Sequence, residues 1–335
     1  MLRFKLIYGD QYQLPLGNHV FAGQKYRLVR EALLAQQIAG PEDFVAPTPA
    51  SDSDMCLVHT AEWVSKLKQA KVSGREEMML EMPFSPALVN AFWFHAGGSI
   101  LAAQLALKDG VSISIGGGFH HAFPDHGEGF CMVHDIAVAI RRLLKDGKIS
   151  RAMVIDCDVH QGNGTAAIFN PAAAEASRAQ GWSAPMFQAP RPVSVSEVPA
   201  GEVFTVSLHQ ENNYPQWKPP SSLDVNLPDG TNDAEYLNWL DNALSSAFRQ
   251  FRPDLIAYVA GADPYRKDQL GGLGLTIDGL KQRDEMVFGA ARRRRIPIFA
   301  TFAGGYAQRI EDTIAIHVNT VVAAKEIFSK RKISR

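Results

Sequence analysis

Short apolar runs alternate with longer segments of helical periodicity, and this alternation restricts the fold more than any other feature of the sequence. The apolar runs lie at residues 111–115, 152–156, 204–208, 255–260 and 296–302. The clearest helical segments lie at residues 135–145, 233–250 and 277–294. Buried strands that alternate with helices predict an α/β fold, in which helices flank a mainly parallel sheet on both faces. Functional residues of such folds gather in loops beyond the carboxyl ends of the strands.

The composition is that of a folded protein with a large core. Hydrophobic residues make up 46% of the chain and charged residues 21%, which excludes an intrinsically disordered protein. The 335 residues show no repeat of fixed period and no low-complexity linker, so we predict a single domain over residues 1–335. The three cysteines include no CxxC pair, which excludes a disulfide scaffold and a cysteine zinc finger.

Charge and hydropathy do not indicate a nucleic-acid or membrane partner. The net charge is -1, and the basic run Arg292–Arg295 is expected to lie in solvent at the end of a helix. No stretch approaches the roughly 18 apolar residues of a membrane span. Residues 1–10 predict a first strand rather than a signal peptide, because they contain no long apolar region or cleavage site. We therefore expect a cytoplasmic protein.

Two long stretches interrupt the alternation of strands and helices. Residues 171–201 are rich in alanine, proline and serine, and predict a long excursion from the core. Residues 210–230 contain several prolines and predict an extended surface loop. Neither stretch requires a domain boundary.

The segment that follows the run at 152–156 predicts a metal site. Asp156, Asp158 and His160 alternate with period two, so all three side chains should point to one side of an extended strand end. Two carboxylates and an imidazole suit a divalent metal such as Zn²⁺. A solvated edge strand is the alternative, but the preceding apolar run indicates burial, where unpaired carboxylates are costly. Asp263, which follows another predicted strand, is the candidate third ligand, although Asp-Pro is also common in turns and caps.

Two glycine-rich loops add groups that could transfer protons or donate hydrogen bonds. The tandem His120 and His121 follow three glycines after the run at 111–115, and imidazoles titrate near neutrality. Neighbouring imidazoles in one loop rarely both reach one ion, so we interpret them as a proton-transfer pair beside a metal. Tyr306 follows a strand and two glycines, and its phenol could donate to a developing oxyanion. A packing role at a turn is the alternative for Tyr306.

Taken together, the motifs resemble those of the histone deacetylase family, which has the arginase/deacetylase fold. They are GGGFHHAFPDHGEGFCMVHDIAVAI, VIDCDVHQGNG, GADPYRKDQLGGLGLT and AGGYA, and they occur in the family's order. The resemblance extends over roughly residues 8–321. The segments HQGNG at 160–164 and DQLGGLGLT look most similar to class IV deacetylases and their bacterial relatives.

The resemblance implies a ligand set and a reaction. Asp158, His160 and Asp263 would bind zinc, and Tyr306 would polarise the acyl carbonyl during metal-assisted amide hydrolysis. The resemblance also implies a structural K⁺ ion. Its ligands would come from Asp156, Asp158, His160, Ser207 and Leu208.

The resemblance further implies that His120 and His121 are the general acid/base pair. Asp156 would orient His120, and Asn163 would orient His121. Class I members carry His and Asp where this chain has Gln161 and Asn163. Asn163 has no negative charge, so it would stabilise the imidazolium of His121 less than an aspartate would. The pH dependence of the class I enzymes is therefore not expected to carry over.

The substrate is the least determined part of this interpretation. Gly129, Phe130 and Tyr214 match positions that line an acyl-lysine tunnel, which favours an enzyme that deacylates lysine side chains. A polyamine or another small acylated amine is the first alternative, and an acidic residue at the tunnel mouth would favour it. A non-catalytic binding protein on the same fold is the second alternative, which is disfavoured because every expected catalytic position is filled. A manganese ureohydrolase would require a second ligand-rich motif.

Overall fold

Eight parallel strands form one sheet at the centre of the computed structural model, which describes residues 1–179 and 202–329. The strands are β1 (Leu6–Ile7), β2 (Phe44–Val45), β3 (Val111–Ser114), β4 (Ala152–Asp156), β5 (Val203–Gln210), β6 (Leu223–Leu227), β7 (Leu255–Val259) and β8 (Ile298–Thr301). Their order across the sheet is β2-β1-β3-β8-β7-β4-β5-β6. Every residue of β3, β4, β7 and β8 is buried, as expected for central strands that are covered on both faces.

Helices flank the sheet on both faces and confirm the predicted α/β fold. They are α1 (Lys25–Ala35), α2 (Asp52–Met55), α3 (Ala61–Lys68), α4 (Gly74–Leu80), α5 (Pro86–Asp109), α6 (Asp135–Lys145), α7 (Asn163–Phe169), α8 (Pro171–Ala179), α9 (Asp233–Gln250), α10 (Ile277–Arg294) and α11 (Ile310–Ser329). Helices α6, α9 and α10 have the predicted bounds.

Capping residues explain why these helices begin where they do. The Asn232 side chain accepts from Glu235 N, and the Glu235 carboxylate accepts from Asn232 N, which forms a capping box at the start of α9. The Thr276 hydroxyl accepts from Gly279 N at the start of α10. Helix α10 ends at the left-handed residue Arg295, just before β8.

The prediction of a surface loop over residues 210–230 is wrong in part. Strand β5 extends to Gln210, and the second half of the stretch forms the edge strand β6. Most residues of β6 are half-buried, so the strand has no continuous apolar run that the sequence could reveal. In the predicted excursion at 171–201, residues 171–179 form α8, and residues 180–201 lie outside the described residues.

The basic run at the end of α10 packs partly on aromatic rings. Arg292 lies 5.5 Å from the ring centroid of Phe328, and Arg294 lies 4.0 Å from that of Phe248. Both cations thus stack on rings of this chain, as cations next to aromatic side chains often do. Within residues 1–179 and 202–329, none of the helices has the length and apolar character that a membrane crossing requires.

Candidate active site

The loops that the sequence predicts to be functional lie together at the carboxyl edge of the sheet. Strands β3, β8, β7 and β4 are consecutive neighbours and all run parallel. In that order, the loops after them carry the histidine pair, Tyr306, Asp263 and the Asp-x-Asp-x-His segment. The fold thus brings together four segments that are far apart in the sequence.

Asp158, His160 and Asp263 form a buried group that could hold a metal ion. One potential ligand atom from each residue lies within 4.8 Å of the others. His160 Nδ1 lies 3.1 Å from Asp158 Oδ1 and 3.4 Å from Asp263 Oδ2. Strand β4 ends at Asp156, so Asp158 and His160 lie on bends beyond the strand rather than on its extended continuation.

Backbone N–H groups hold both carboxylate oxygens of Asp158, including Oδ1 through His160 N at 3.0 Å, and one oxygen of Asp263. Gly304 N donates to Asp158 Oδ2 at 2.8 Å, and Val159 N donates to Asp263 Oδ1 at 2.9 Å. The buried Asp263 Oδ2 has no hydrogen-bond partner among the described residues. A buried carboxylate oxygen without a donor is costly unless a cation compensates it, so this donor set fits a divalent metal such as Zn²⁺.

The glycine at position 304 is required by the close approach of the β8 loop to this group. A Cβ atom there would lie 1.8 Å from Asp263 Oδ2 and 2.7 Å from Asp158 Oδ2. No side chain fits in that space, whereas glycine allows its N–H to reach a carboxylate directly. The Gly-Gly turn before Tyr306 therefore contributes to the metal group as well as to the position of the tyrosine.

The three groups strongly favour positive charge at their centre. Burial opposes the charged form of His160, but its hydrogen bond to Asp158 and the nearby charge of Asp263 outweigh burial and raise its pKa to about 10. Burial and the neighbouring Asp158 raise the pKa of Asp263 to about 7. Two carboxylates that face one imidazole thus attract positive charge to the space between them, as in a site that could bind a metal ion.

His120 and His121 lie side by side, and a different partner orients each ring. Their ring centroids are 4.0 Å apart. His120 Nδ1 lies 2.7 Å from Asp156 Oδ2, and His121 Nδ1 lies 2.8 Å from Asn163 Oδ1. A hydrogen bond at Nδ1 fixes the tautomer, so each ring presents Nε2 for chemistry.

The two histidines have opposite pKa shifts. Burial disfavours the charged form of His120, but the carboxylates of Asp156 and Asp158 outweigh burial and raise the pKa to about 9. Burial and the positive charges of His120 and His160 lower the pKa of His121 well below its ordinary value. His120 therefore holds a proton more tightly than His121 does, which suits an acid and a base.

Tyr306 is held at its backbone and presents a protonated phenol. Its N–H donates to Asp268 Oδ2 at 2.6 Å, and its carbonyl oxygen accepts from the backbone and side chain of Gln269. Burial raises the pKa of Tyr306 well above its ordinary value, and the charges of Asp263 and Asp158 add to this effect. The hydroxyl group therefore remains a hydrogen-bond donor.

The predicted tunnel residues lie beside these groups. Phe130 packs edge-on against Tyr306 with ring centroids 5.8 Å apart, and Tyr214 packs edge-on against His121 at 4.9 Å. Gly129 has a φ of +52°, and a Cβ atom there would lie 2.9 Å from the Tyr214 ring. Gly129 and Phe130 also line one cavity with both histidines and Tyr306.

Two of the residues implied for the potassium site lie on neighbouring strands of the sheet. Strand β5 pairs with β4 so that Ser207 is in register with Asp156. Leu208 follows Ser207 on the same strand. This register is compatible with a shared ion, and the potassium site stays a prediction.

Lys25 is a buried residue at this site that sequence reasoning missed. Its Nζ donates to Ala303 O at 2.6 Å and lies 4.3 Å from the ring centroid of Phe21 and 5.8 Å from that of Tyr306. Burial lowers the pKa of Lys25 to about 8, against the attraction of the nearby carboxylates. A cation on the apolar face of α1, which also carries the buried Val29, is the signal that could have revealed it.

Comparisons with known proteins place this architecture in a family. The family model of the histone deacetylase domain matches residues 19–322. Histone deacetylase 2 of Arabidopsis thaliana is 31% identical over 329 residues, which cover 93% of this chain and 77% of that protein. The acetoin utilization protein AcuC of Staphylococcus aureus (strain MSSA476) is 27% identical over 289 residues, which cover 82% and 69% of the two chains.

Solved structures show the same fold. The HD domain of HDA15 has a TM-score of 0.73 and 19% identity, and the match covers 99% of this chain and 89% of that domain. An HDAC homolog from Aquifex aeolicus has a TM-score of 0.73 and 22% identity, with 98% and 84% covered.

These matches define the class as deacetylase-type hydrolases on the arginase/deacetylase fold. The chain belongs to the histone deacetylase family, because the family model covers most of its length. Family membership supports a deacetylase activity.

Proposed function

We propose that the protein is a zinc-dependent amidohydrolase that removes acyl groups from lysine side chains. The observation that carries this proposal is one cavity lined by both histidines, Phe130, His160 and Tyr306. The proposed proton-transfer pair, the phenol donor and one proposed metal ligand share this cavity, which supports a site for hydrolysis of an unactivated amide.

The proposed roles follow from the protonation states of the side chains. Asp158, His160 and Asp263 would hold the ion. When bound, zinc supplies Lewis-acid chemistry, since it polarises a carbonyl group and makes water more acidic. The neutral His121 accepts a proton from the attacking water at Nε2, because Asn163 occupies its Nδ1.

Breakdown of the amide requires charge stabilisation and a proton for the leaving group. Tyr306 donates its hydroxyl hydrogen bond to the acyl oxygen as negative charge develops there. His120 remains cationic through Asp156, and an imidazolium of the pair protonates the departing amine nitrogen as the C–N bond breaks. The products are a carboxylate and a free amine.

A small acylated amine is the second candidate substrate. Glu128 accepts a hydrogen bond from the Tyr214 hydroxyl group. Glu81 directly follows Leu80, whose carbonyl oxygen accepts from Phe130 N. Two carboxylates at the tunnel would attract a polycationic amine, and the relative AcuC is named for acetoin utilization. A non-catalytic binding role is the remaining alternative, and metal-dependent turnover would exclude it.

The proposal is tested with fluorogenic acyl-lysine peptides of increasing acyl length and with an N-acetylpolyamine in parallel. Each substrate is assayed with the metal-replete enzyme, the chelator-treated enzyme and the enzyme re-supplied with zinc. We expect zinc-restored hydrolysis of at least one acyl-lysine peptide at a higher kcat/KM than the polyamine. Preference for the polyamine would instead establish the second candidate, and no turnover on any substrate would contradict the enzymatic role.

Three further features belong to this proposal. A structural K⁺ ion would lie near Asp156 and Ser207, which pair in register. One catalytic domain would extend over the chain, in agreement with the continuous sheet. We keep the cytoplasm as the predicted location.

A further inference from the structure

Glu128 is joined to His121 by a continuous chain of side-chain hydrogen bonds. Asn163 Nδ2 donates to Glu128 Oε1 at 2.5 Å, and Asn163 Oδ1 lies 2.8 Å from His121 Nδ1. Asn163 is 2% exposed, so water does not compete for its amide. The glutamate is therefore the next group behind the residue that orients the proposed base.

A carboxylate at this position selects one orientation of the Asn163 amide. An asparagine amide can present either its oxygen or its nitrogen to a neighbour, and the hydrogen-bond network determines which. The NH₂ group of Asn163 donates to Glu128, and the backbone N–H of Gly164 donates to Oδ1 at 3.0 Å, so both contacts favour the orientation in which Oδ1 faces His121. His121 Nδ1 must then carry a hydrogen, which leaves Nε2 with the lone pair that a base needs.

Further contacts hold Glu128 in place. Tyr214 Oη donates to Glu128 Oε1 at 2.9 Å, and His126 Nε2 lies 3.6 Å from Oε2. The backbone N–H and C=O groups of Glu128 both pair with Cys131. The carboxylate is thus fixed between the Tyr214 hydroxyl group and the Asn163 amide.

We propose that Glu128 is a positioning residue, which sets the tautomer of His121 through the side-chain amide of Asn163. The negative charge that Asn163 lacks is supplied one side chain further from the histidine. This inference rests on the proposed function, because it takes His121 as the base.

The first test exchanges the amide and the carboxylate between the two positions. Glu128→Gln removes the obligate acceptor, and Asn163→Asp places two carboxylates at hydrogen-bond distance. We expect each change to lower kcat by about 10- to 100-fold, the usual effect of losing a hydrogen bond to a charged group, with a much smaller change in KM. The double variant restores a donor–acceptor pair, because the introduced glutamine can donate to the introduced aspartate, so its kcat should exceed that of both single variants.

A matched control variant distinguishes loss of the Glu128–Asn163 hydrogen bond from loss of a negative charge elsewhere. Glu77→Gln removes an equal charge on α4, whose last two residues accept from the backbone of Gly129 and Phe130, and it keeps an acceptor for Phe84 N. Its kcat should stay within about threefold of wild type, since a charge without hydrogen-bond contact to the pair has a weaker effect. Thermal melting of all variants checks that they are folded. Additive losses in the double variant, or a wild-type kcat for Glu128→Gln, would overturn the inference.

The second test reads the tautomer without reference to turnover. Long-range ¹H–¹⁵N spectra of the metal-replete protein, assigned with His121→Ala, report which ring nitrogen carries the hydrogen. We expect His121 to be protonated at Nδ1 in the wild type and to lose this preference in Glu128→Gln. An unchanged tautomer in Glu128→Gln would overturn the inference even in an active enzyme. If the wild type hydrolyses no acyl amide, the proposed function fails, while the spectra still decide the role of Glu128.

Discussion

His120 and His121 are adjacent and chemically identical, yet their environments move their pKa values in opposite directions. His120 faces the carboxylate of Asp156, whereas His121 faces the neutral amide of Asn163 and lies beside the rings of His120 and His160. Burial and these rings lower the pKa of His121, whereas the carboxylates of Asp156 and Asp158 raise that of His120. The proposed division of labour between acid and base rests on that difference.

Tyr306→Phe tests the phenol donor at the scale of one atom. The variant keeps the ring that packs on Phe130 and removes only the hydroxyl group. We expect kcat to fall by about 10²–10³-fold, because one oxyanion donor is lost, with zinc content and folding unchanged. Substrate binding should weaken less than turnover, since the bond strengthens as charge develops. A wild-type kcat would establish that Tyr306 only packs.

His126 gives a pH dependence of stability that is separate from the metal group. Burial disfavours its charged form, but bonds to Asp125 and Glu128 outweigh burial and raise its pKa to about 9. The unfolded pKa is about 6.5, so this contribution to stability is complete below that pH and is lost as the pH rises through about 9. We expect the stability advantage of wild type over His126→Gln to shrink by on the order of 2 kcal/mol between pH 6 and 9.

Urea denaturation of both proteins at several pH values measures this difference. His126 also stacks on Phe123, with ring centroids 4.6 Å apart, so the variant should be less stable at every pH by a constant amount. Only the part of the stability difference that varies with pH is attributed to the charge of His126. A difference between the two proteins that does not change with pH would contradict the assignment.

At the residue scale, the local sequence pattern predicts the functional side chains that follow a strand. It does not predict which distant side chains hydrogen-bond to them. His120, Asp158, Asp263 and Tyr306 each follow an apolar run, and the fold brings them to one edge. Glu128 lies in the middle of a loop, and its contact with Asn163 depends on how two loops meet. No local pattern in the sequence encodes such a contact.

At the scale of elements, helix α10 contacts both loops that carry the proposed metal ligands Asp158 and Asp263. Arg283 lies on α10 and is fully buried. Its Nη1 donates to Gly261 O at 2.6 Å and to Cys157 O at 3.1 Å. These carbonyls belong to the loops after β7 and β4, beside Asp263 and Asp158. A core arginine therefore fixes the backbone from which two of the three proposed ligands project.

Arg283→Met should lower the free energy of unfolding by about 3–5 kcal/mol, because it leaves the buried Asp284 without its cation. Chemical denaturation measures this loss. The control is Arg283→Met combined with Asp284→Asn, which removes the charge and keeps one acceptor oxygen, for the hydroxyl group of either Tyr258 or Thr320. The double variant should be more stable than Arg283→Met alone. Equal stability would show that the ion pair is not the cause.

Element boundaries are predictable where local signals agree. Helices α9 and α10 begin at capping residues and show clear periodicity, so their predicted bounds match the structure. Strand β6 escapes prediction because it lies at the edge of the sheet, is mostly half-buried and follows a proline-rich segment. Its identity as a strand depends on pairing with β5 rather than on its own residues.

At the scale of the whole molecule, the site results from strand order. Strands β3, β8, β7 and β4 are neighbours, although β3 and β8 are separated by most of the chain. The alternating pattern predicts a parallel sheet with its polar loops at one edge. It does not predict which strands are neighbours, since order is set by long-range packing. The family resemblance implies that residues of these loops share one site, without giving the order of the strands.

The central claim is that Asp158, His160 and Asp263 bind one catalytic zinc ion while the histidine pair transfers protons. The most direct measurement is elemental analysis of purified wild type, Asp158→Ala and His121→Ala. Asp158→Ala removes a ligand, whereas His121→Ala removes a proposed base and leaves all three ligands in place. The two variants are matched because each truncates a buried polar side chain at the same edge of the sheet.

The account predicts about one zinc ion per chain in wild type and in His121→Ala, and little zinc in Asp158→Ala. Both variants should lose turnover, and kcat of His121→Ala should fall by about 10²–10⁴-fold at full zinc content. Full zinc occupancy in Asp158→Ala, or zinc loss in His121→Ala equal to that in Asp158→Ala, would contradict the account.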